Sequence, residues 1–214
     1  MKKRLVNRKR VNTMTSTPEK EPAWVASALQ GITHWIGHRR CLYRHYPLSE
    51  GALVAEVCNL IHANLSDEYL LKCEVQYSTL IPRDEAPAEL TDRARADLVV
   101  FERMKNATND SIARFIIEIK RASAPKAQIE ADLRRLSAVR YLCRDIRTFC
   151  FIISEAQRPP RFVDKKGMSI RGKMKISGSD GYFRVRRTWK AAHAYTKRDK
   201  AQYACLIEVY PSPY

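Results

Sequence analysis

The sequence predicts an α/β fold in which helices flank a mixed central sheet. Three apolar runs, at residues 96–101, 115–119 and 148–154, are short and leave neither face polar, which is typical of strands covered on both sides. A helical pattern of apolar residues separates the last two runs. The predicted core order is helix, three strands, helix and strand (αβββαβ). Because a helix joins the last two strands, they are expected to pair in parallel. A basic β-hairpin is predicted to extend this core.

Residues 1–22 are predicted to form a flexible basic arm, since six of the first ten are Lys or Arg. No apolar run follows them, which argues against a secretory signal. A helix is predicted over residues 24–36, with an interruption at Gly37. His34 and His38 stand one helical turn apart, a spacing that can hold a metal ion. Because no glutamate accompanies them, we favour histidines that face solvent or nucleic acid.

A second helix is predicted over residues 50–61, with Ser49 as its N-cap and Glu50 in its first turn, where a carboxylate suits the helix dipole. Its buried stripe consists of Leu53, Val57, Leu60 and Ile61. A strand is predicted over 69–80. The stretch 81–95 is then a loop of unusual length, which favours a functional role. The acidic residues of this loop, which are expected to be solvated, are Asp84, Glu85, Glu89 and Asp92.

The middle one of the three apolar runs ends in two charged residues. Side chains alternate along a strand, so Glu118 and Lys120 are predicted to share one face. Ile117 and Ile119 are predicted to share the other face. A carboxylate and an ammonium group at the end of a buried strand are costly to desolvate unless they have partners or a chemical role. Asp97 stands at the start of the preceding run, and the three charged residues give the pattern D-x20-E-x-K.

A third helix is predicted to begin at Pro125, where the fixed φ of proline suits a first helical turn. Its inner stripe consists of Ile129, Leu133, Leu136, Val139 and Cys143. The helix leads into the apolar run at 148–154, which completes the core predicted for residues 23–160.

Residues 161–214 are predicted to form a basic hairpin extension and a last strand that packs on the core. The two hairpin strands are expected near 168–176 and 182–188, and the last strand over 203–210. The hairpin interleaves basic residues with Tyr182, Phe183 and Trp189, a mixture that can bind phosphates and stack on bases. For these aromatic residues we favour the alternative that they pack inward in an ordinary amphipathic hairpin. The basic residues that we predict to contact nucleic acid are Arg171, Lys173, Lys175, Arg184, Arg186, Arg187 and Lys190.

The net charge of +16 indicates a polyanionic partner. Residues 41–120 carry 9 Lys/Arg and 13 Asp/Glu, a net charge of −4, whereas residues 158–200 carry 14 Lys/Arg and 3 Asp/Glu, a net charge of +11. The polyanionic partner is either nucleic acid or a membrane surface, and we expect nucleic acid. No apolar run approaches the roughly 18 residues of a membrane span. An acidic middle between basic flanks is typical of a metal-binding centre surrounded by phosphate-binding surfaces.

The six cysteines are scattered along the chain and form no C-x-x-C pair, so neither a zinc site nor a disulfide framework is predicted. Several lie in apolar runs, where free cysteine behaves as a small hydrophobic residue. The expected compartment is the reducing cytoplasm.

The D-x20-E-x-K pattern resembles the PD-(D/E)XK nuclease superfamily, whose members have the restriction-endonuclease-like fold. The resemblance covers about residues 48–155, with Ala96 in place of the proline that often precedes the aspartate. It implies that Asp97 and Glu118 bind a divalent metal ion together with the Ile119 carbonyl. Lys120 would position the attacking water and stabilise the transition state.

A further acidic residue is implied by the same resemblance. Many members have E-x-x-L-V near the start of the helix before the first strand, and Glu50 begins such a segment here. We favour Glu50 over Glu56 on this helix, while simple capping of the helix remains an alternative role for Glu50. Some branches carry Q-x-x-x-Y on the third helix, but Gln128 is followed by Asp132 at that spacing, so this branch is excluded.

The expected function is therefore that of a Mg²⁺-dependent endonuclease, with Mn²⁺ able to substitute and double-stranded DNA as the favoured substrate. The alternative is a basic nucleic-acid-binding protein without catalysis, in which the Asp/Glu/Lys cluster is structural. Whether the protein acts alone, as a homodimer or within a larger complex stays open. The sequence contains no G-x-S-x-G, H-E-x-x-H or G-x-x-x-x-G-K-[ST] motif that would favour another chemistry.

Overall fold

A computed structural model describes residues 20–43, 46–82, 87, 90, 93–104 and 111–211. Except for residues 20–22, the predicted N-terminal arm lies outside these ranges. The four loop acids Asp84, Glu85, Glu89 and Asp92 lie outside them too.

The described residues form a mixed α/β structure with a seven-stranded sheet and helices on both faces. The helices are α1 (Ala23–Leu42), α2 (Glu50–His62) and α3 (Lys126–Leu142). The strands are β1 (Tyr69–Gln76), β2 (Arg95–Arg103), β3 (Ser111–Arg121), β4 (Arg147–Ser154), β5 (Met174–Lys175), β6 (Tyr182–Lys190) and β7 (Tyr203–Tyr210). No helix in the described part of the chain combines the length and the apolar character needed to cross a membrane.

The strands lie in the order β1-β2-β3-β4-β7-β6-β5 across the sheet. β3 and β4 are parallel and α3 connects them, whereas all the other neighbouring strands are antiparallel. The predicted order of helix, three strands, helix and strand is therefore observed, and β7 joins the main sheet as predicted. The carboxyl ends of β3, β4 and β6 lie at one end of the sheet, which also carries the D-x20-E-x-K residues, and we call this end the Asp97 end.

Each face of the sheet packs against its own set of helices. On one face, apolar residues of β2, β3, β4 and β7 contact α1 and α2, and Ile117 and Ile119 belong to this layer. On the other face, Ile116 and its neighbours pack against α3. All eight residues of β4 are buried, as expected for a strand covered on both sides.

Three predicted element boundaries were wrong, namely the interruption of the first helix, the end of the first strand and the start of the hairpin. Gly37 does not interrupt α1, because glycine costs a helix only about 1 kcal/mol relative to alanine. A Cβ atom at this position would lie 2.8 Å from the Cβ of Ala191, so glycine lets the segment after β6 approach the helix. The first strand ends at Gln76 instead of Leu80, and the chain continues into a 3₁₀ turn over Tyr77–Thr79.

The first strand of the hairpin is also shorter than predicted, since β5 contains only Met174 and Lys175. His34 and His38 are exposed on α1. Within the described ranges, no group of three or more His, Cys, Asp or Glu side chains is arranged to hold a metal ion, either at these two histidines or elsewhere.

Candidate active site

The predicted acidic and basic residues meet at the Asp97 end of the sheet, between the start of α2 and α3. Asp97 lies near the start of β2, and Glu118 and Lys120 lie near the end of the neighbouring antiparallel strand β3. The backbone N–H of Ile119 donates a hydrogen bond of 2.7 Å to Oδ2 of Asp97. Strand pairing and this hydrogen bond together hold the Asp97 carboxylate next to Glu118.

Glu118 is almost completely buried, with 2% of its surface exposed. The hydroxyl of the buried Tyr77 donates a hydrogen bond to its Oε1, and its other side-chain hydrogen bond joins it to Asp97. Among the described residues it forms no ion pair within 4 Å. Burial, followed by the negative charge of Asp97, raises the pKa of Glu118 to about 8. Glu118 is therefore mainly protonated at neutral pH when no cation is bound.

Burial also raises the pKa of Asp97, although the hydrogen bond from the Ile119 N–H and the Lys120 charge act in the opposite direction. Two carboxyl groups in contact, one buried and one half-buried, with raised pKa values hold a proton that a cation can displace. Such pairs are concentrated at functional sites.

Lys120 lies between carboxylates on two different helices. Its Nζ atom lies 2.5 Å from Oε1 of Glu50, at the start of α2, and 3.4 Å from Oδ2 of Asp132, on α3. Burial alone would lower the pKa of Lys120, but the hydrogen bond to Glu50 and the charges of Asp97 and Glu50 outweigh it, so the net shift is upward. Lys120 therefore remains an ammonium ion and does not act as a free base.

Asp132 is the main site residue that the sequence analysis did not assign. It is 1% exposed and forms ion pairs with Lys120 and Arg135. Its position carried a signal, because it lies three residues after Ile129 and four before Leu136, within the buried stripe of α3. A buried acidic residue in a helix stripe needs a cationic partner, and here Arg135 and Lys120 both fill that role.

Glu50, and not Glu56, reaches this cluster. The hydroxyl of Ser49 caps α2 by accepting a hydrogen bond of 3.2 Å from the Ala52 N–H, which fixes the first turn that carries Glu50. No contact in the described part of the chain joins Glu56 to the cluster. Ile119 supplies its N–H to Asp97, and the role of its carbonyl in metal binding stays a prediction.

Glu74 interrupts the pairing of β1 and β2 directly opposite Asp97. Cys73 pairs with Leu98 and Val75 pairs with Ala96, while Glu74 has a φ of 53°. A non-glycine residue in this left-handed region costs conformational energy, and such residues cluster at functional sites.

The carboxylate oxygens of this site suit a Mg²⁺ ion that keeps open coordination positions, and not an ion enclosed entirely by protein ligands. Mg²⁺ usually takes one or two carboxylates from the protein and keeps water or phosphate oxygens at its remaining positions. Asp97 and Glu118 provide such a pair, whereas Glu50 is engaged by Lys120. A cation at this pair would also compensate for the burial of two negative charges.

A basic surface lies at the same end of the sheet. The end of β6 at Lys190 pairs with Tyr203, which pairs with Ser154, and these residues are level with the end of β3. The chain between β6 and β7 contributes exposed basic residues and Tyr195, which is 69% exposed and has the Lys190 ammonium 4.8 Å from its ring centre. We call this surface the basic end surface, and its cationic residues are Lys165, Lys190, Lys197, Arg198 and Lys200.

Of the seven predicted nucleic-acid contacts, Lys190 alone is placed at the Asp97 end of the sheet by the pairing of the strands. Lys175 pairs with Tyr182 at the opposite end of the sheet, and the Lys173 ammonium lies 4.6 Å from the Tyr182 ring centre. Arg171 is exposed before β5, and Arg184 lies opposite Glu208 on β7.

Arg186 and Arg187 have carboxylate partners within the protein. Arg186 forms ion pairs with Glu208 and Glu21, and Arg187 forms one with Glu21. These two carboxylates compensate part of the arginine charge, since Glu208 also pairs with Arg147, and the sequence pattern did not indicate these partners.

Comparison of the chain with models of known protein families, with curated protein sequences and with solved structures finds no match.

Proposed function

We propose that the protein is a metal-dependent endonuclease that hydrolyses phosphodiester bonds in DNA, with a restriction-endonuclease-like core. The observation that carries the proposal is the buried Glu118 in contact with the half-buried Asp97, with the Lys120 ammonium beside them, at a basic end of the sheet. The αβββαβ order of elements supports the same fold assignment. If the carboxyl pair had only a structural role, its burial without a cationic partner would not stabilise the fold.

Asp97 and Glu118 are the residues that would hold Mg²⁺ or Mn²⁺, with Glu50 as a further carboxylate at the rim. When bound, the ion lowers the pKa of water and offsets the charge of the phosphate. Tyr77 fixes the orientation of Glu118, and the Ile119 N–H fixes that of Asp97, so the pair is preorganised.

Lys120 supplies a fixed positive charge to the reaction. Its ammonium group can hydrogen-bond the attacking water or a nonbridging phosphate oxygen, where negative charge develops in the transition state. Glu50 and Asp132 restrict the position of this ammonium group from two sides. Because the pKa of Lys120 is raised, it keeps its proton throughout the reaction.

The basic end surface is the proposed contact for the DNA backbone. Three strand spacings of about 4.8 Å separate β3 from β6, so the candidate centre and Lys190 are roughly 14 Å apart. At about 3.4 Å per phosphate along one strand, this distance corresponds to roughly four nucleotides. The exposed ring of Tyr195 offers a surface on which a splayed base can stack.

Incubation with supercoiled plasmid in Mg²⁺, in Mn²⁺ and in EDTA tests the proposed activity. We expect nicked or linear product with either metal ion and none in EDTA. Glu50→Gln should reduce the rate about 10- to 100-fold, because it releases the Lys120 ammonium and removes a rim carboxylate. Glu56→Gln, on the same helix but without a contact to the cluster, is the matched control and should cleave at the wild-type rate. Cleavage that persists in EDTA would contradict the proposal.

Neutralising the basic end surface should weaken DNA binding in a salt-dependent manner. In the triple variant Lys197→Gln, Arg198→Gln and Lys200→Gln, we expect the slope of log K against log salt concentration to flatten by about 3 if each residue contacts one phosphate. The matched control changes the same number of charges at or near the hairpin, with Arg171, Lys173 and Lys175 replaced by Gln. If only the control flattens the slope, the DNA lies on the hairpin.

The second candidate function is nucleic-acid binding without catalysis. It is favoured by one observation, namely that Lys120 already has two carboxylate partners, Glu50 and Asp132. In this case the cluster would connect α2, β3 and α3 as a structural ion-pair network. The Asp97 variant considered in the Discussion distinguishes the two candidates.

A further inference from the structure

Two cysteines lie in contact next to the candidate active site. The Sγ atoms of Cys58, on α2, and Cys73, on β1, are 3.4 Å apart, although fifteen positions separate the residues in the chain. All six cysteines are free thiols. The pair borders a groove that is also lined by Glu50, Glu74 and Asp97.

The two thiols differ in their access to solvent. Cys73 is exposed, whereas Cys58 is partly covered. Burial, followed by the hydrogen bond to Cys73, raises the pKa of Cys58 to about 11. Cys58 therefore stays protonated at neutral pH, and a water-borne oxidant reaches Cys73 first.

A disulfide between these residues requires only a small movement. Its S–S bond is about 2.05 Å long, so the two sulfur atoms must approach by about 1.4 Å from their separation of 3.4 Å. Rotation of the cysteine side chains and a slight shift of α2 towards β1 can supply this distance.

We propose that Cys58 and Cys73 form a reversible redox modification site, in which a peroxide closes a disulfide bond that links α2 to β1. The Cys73 thiol loses its proton, its sulfur attacks one peroxide oxygen, and the O–O bond breaks. Cys73 becomes a sulfenic acid, and the leaving hydroxide takes up the proton that the thiol released, which gives the first water. The Cys58 sulfur then attacks the sulfenic sulfur, the S–O bond breaks, and the Cys58 proton leaves with the hydroxide as the second water. The two thiols lose two electrons and the peroxide gains them.

The disulfide also affects the groove that contains the candidate catalytic residues. Drawing α2 towards β1 moves Glu50 relative to Asp97 and Lys120, and a misplacement of about 1 Å can cost about 100-fold in rate. This part of the inference rests on the proposed function: oxidation slows DNA cleavage by roughly 10- to 100-fold. A dithiol reductant restores the rate.

Oxidation with hydrogen peroxide followed by peptide mapping tests the modification without any measurement of cleavage. Trypsin separates the two cysteines into peptides 45–72 and 73–83, because Lys72 precedes Cys73. We expect the oxidised protein to yield these peptides joined by a disulfide and to fall from six free thiols to four. The cross-link should raise Tm by about 6–12 °C.

Cys58→Ser and Cys73→Ser should each abolish the linked peptides and the rise in Tm. Cys41→Ser is the matched control, since Cys41 is exposed on α1 away from the pair and its loss should leave both results unchanged. Recovery of peptide 45–72 with a free thiol while Cys73 is over-oxidised would overturn the proposal. If the disulfide forms but cleavage is unchanged, the proposed control of cleavage is overturned, and if plasmid is never cut, the fault lies with the proposed function instead.

Discussion

Replacing Asp97 with asparagine is expected to reduce DNA cleavage about 1,000-fold or more, because it removes the charge of a proposed metal ligand worth several kcal/mol in the transition state. The same variant should bind DNA as tightly as wild type, or more tightly, when EDTA is present. Without a metal ion, a carboxylate near a phosphate repels it, and asparagine removes that charge. Rates of plasmid cleavage and binding titrations in EDTA measure the two effects separately.

Melting curves of this variant distinguish the nuclease from the binding-only alternative. If Asp97 and Glu118 bind Mn²⁺, the ion should raise the Tm of the wild-type protein and not that of Asp97→Asn, since a ligand stabilises only the folded state that binds it. If the cluster is structural, the variant should melt earlier with or without Mn²⁺, and wild type should not respond. Asp145→Asn, an exposed residue just before β4 at the opposite end of the sheet, is the matched control.

In EDTA, the free energy of unfolding is expected to fall as the pH rises from about 5 to about 8. The pKa of Glu118 is raised from 4.5 to about 8 in the folded protein, so in this interval the folded state binds more protons than the unfolded state. Stability then decreases with increasing pH, by at most about 1.4 kcal/mol per pH unit for this one group. Denaturant unfolding at a series of pH values measures the slope.

Glu118→Gln should remove this contribution and flatten the dependence on pH, while Glu102→Gln at the other end of the sheet should leave it unchanged. Mg²⁺ should stabilise the wild-type protein more at pH 8 than at pH 6, because the ion and the proton compete for the same carboxyl groups. An identical slope in the wild-type protein and Glu118→Gln would show that another group titrates in this range.

Local sequence patterns were sufficient to predict the central strands of the sheet and the strand face that Glu118 and Lys120 share. The runs of β-branched and aromatic residues predicted the central strands, and the alternation of side chains predicted that Glu118 and Lys120 share a face. The start of α2 at Glu50 followed from the capping residue Ser49. These features depend on residues a few positions apart, which the sequence records directly.

The partners of these residues depend on contacts between distant segments and could not be predicted in the same way. Tyr77 contacts Glu118 across 41 positions, because the chain turns at the end of β1 instead of continuing as a strand. The contact of Cys58 with Cys73 depends on how α2 packs on β1. The position of the hairpin depends on the direction in which β6 pairs with β7, and this direction places Lys175 at the end of the sheet opposite Asp97.

The position of β7 has a consequence for how the molecule assembles during synthesis. β7 lies between β4 and β6, although it follows both in the chain. When β6 has left the ribosome, the backbone groups along one edge of β4 still lack the strand that pairs with them. The nascent chain must therefore keep an apolar, aggregation-prone strand edge unpaired over about fifty residues of translation, and the sheet closes only after the last of its non-local pairings can form.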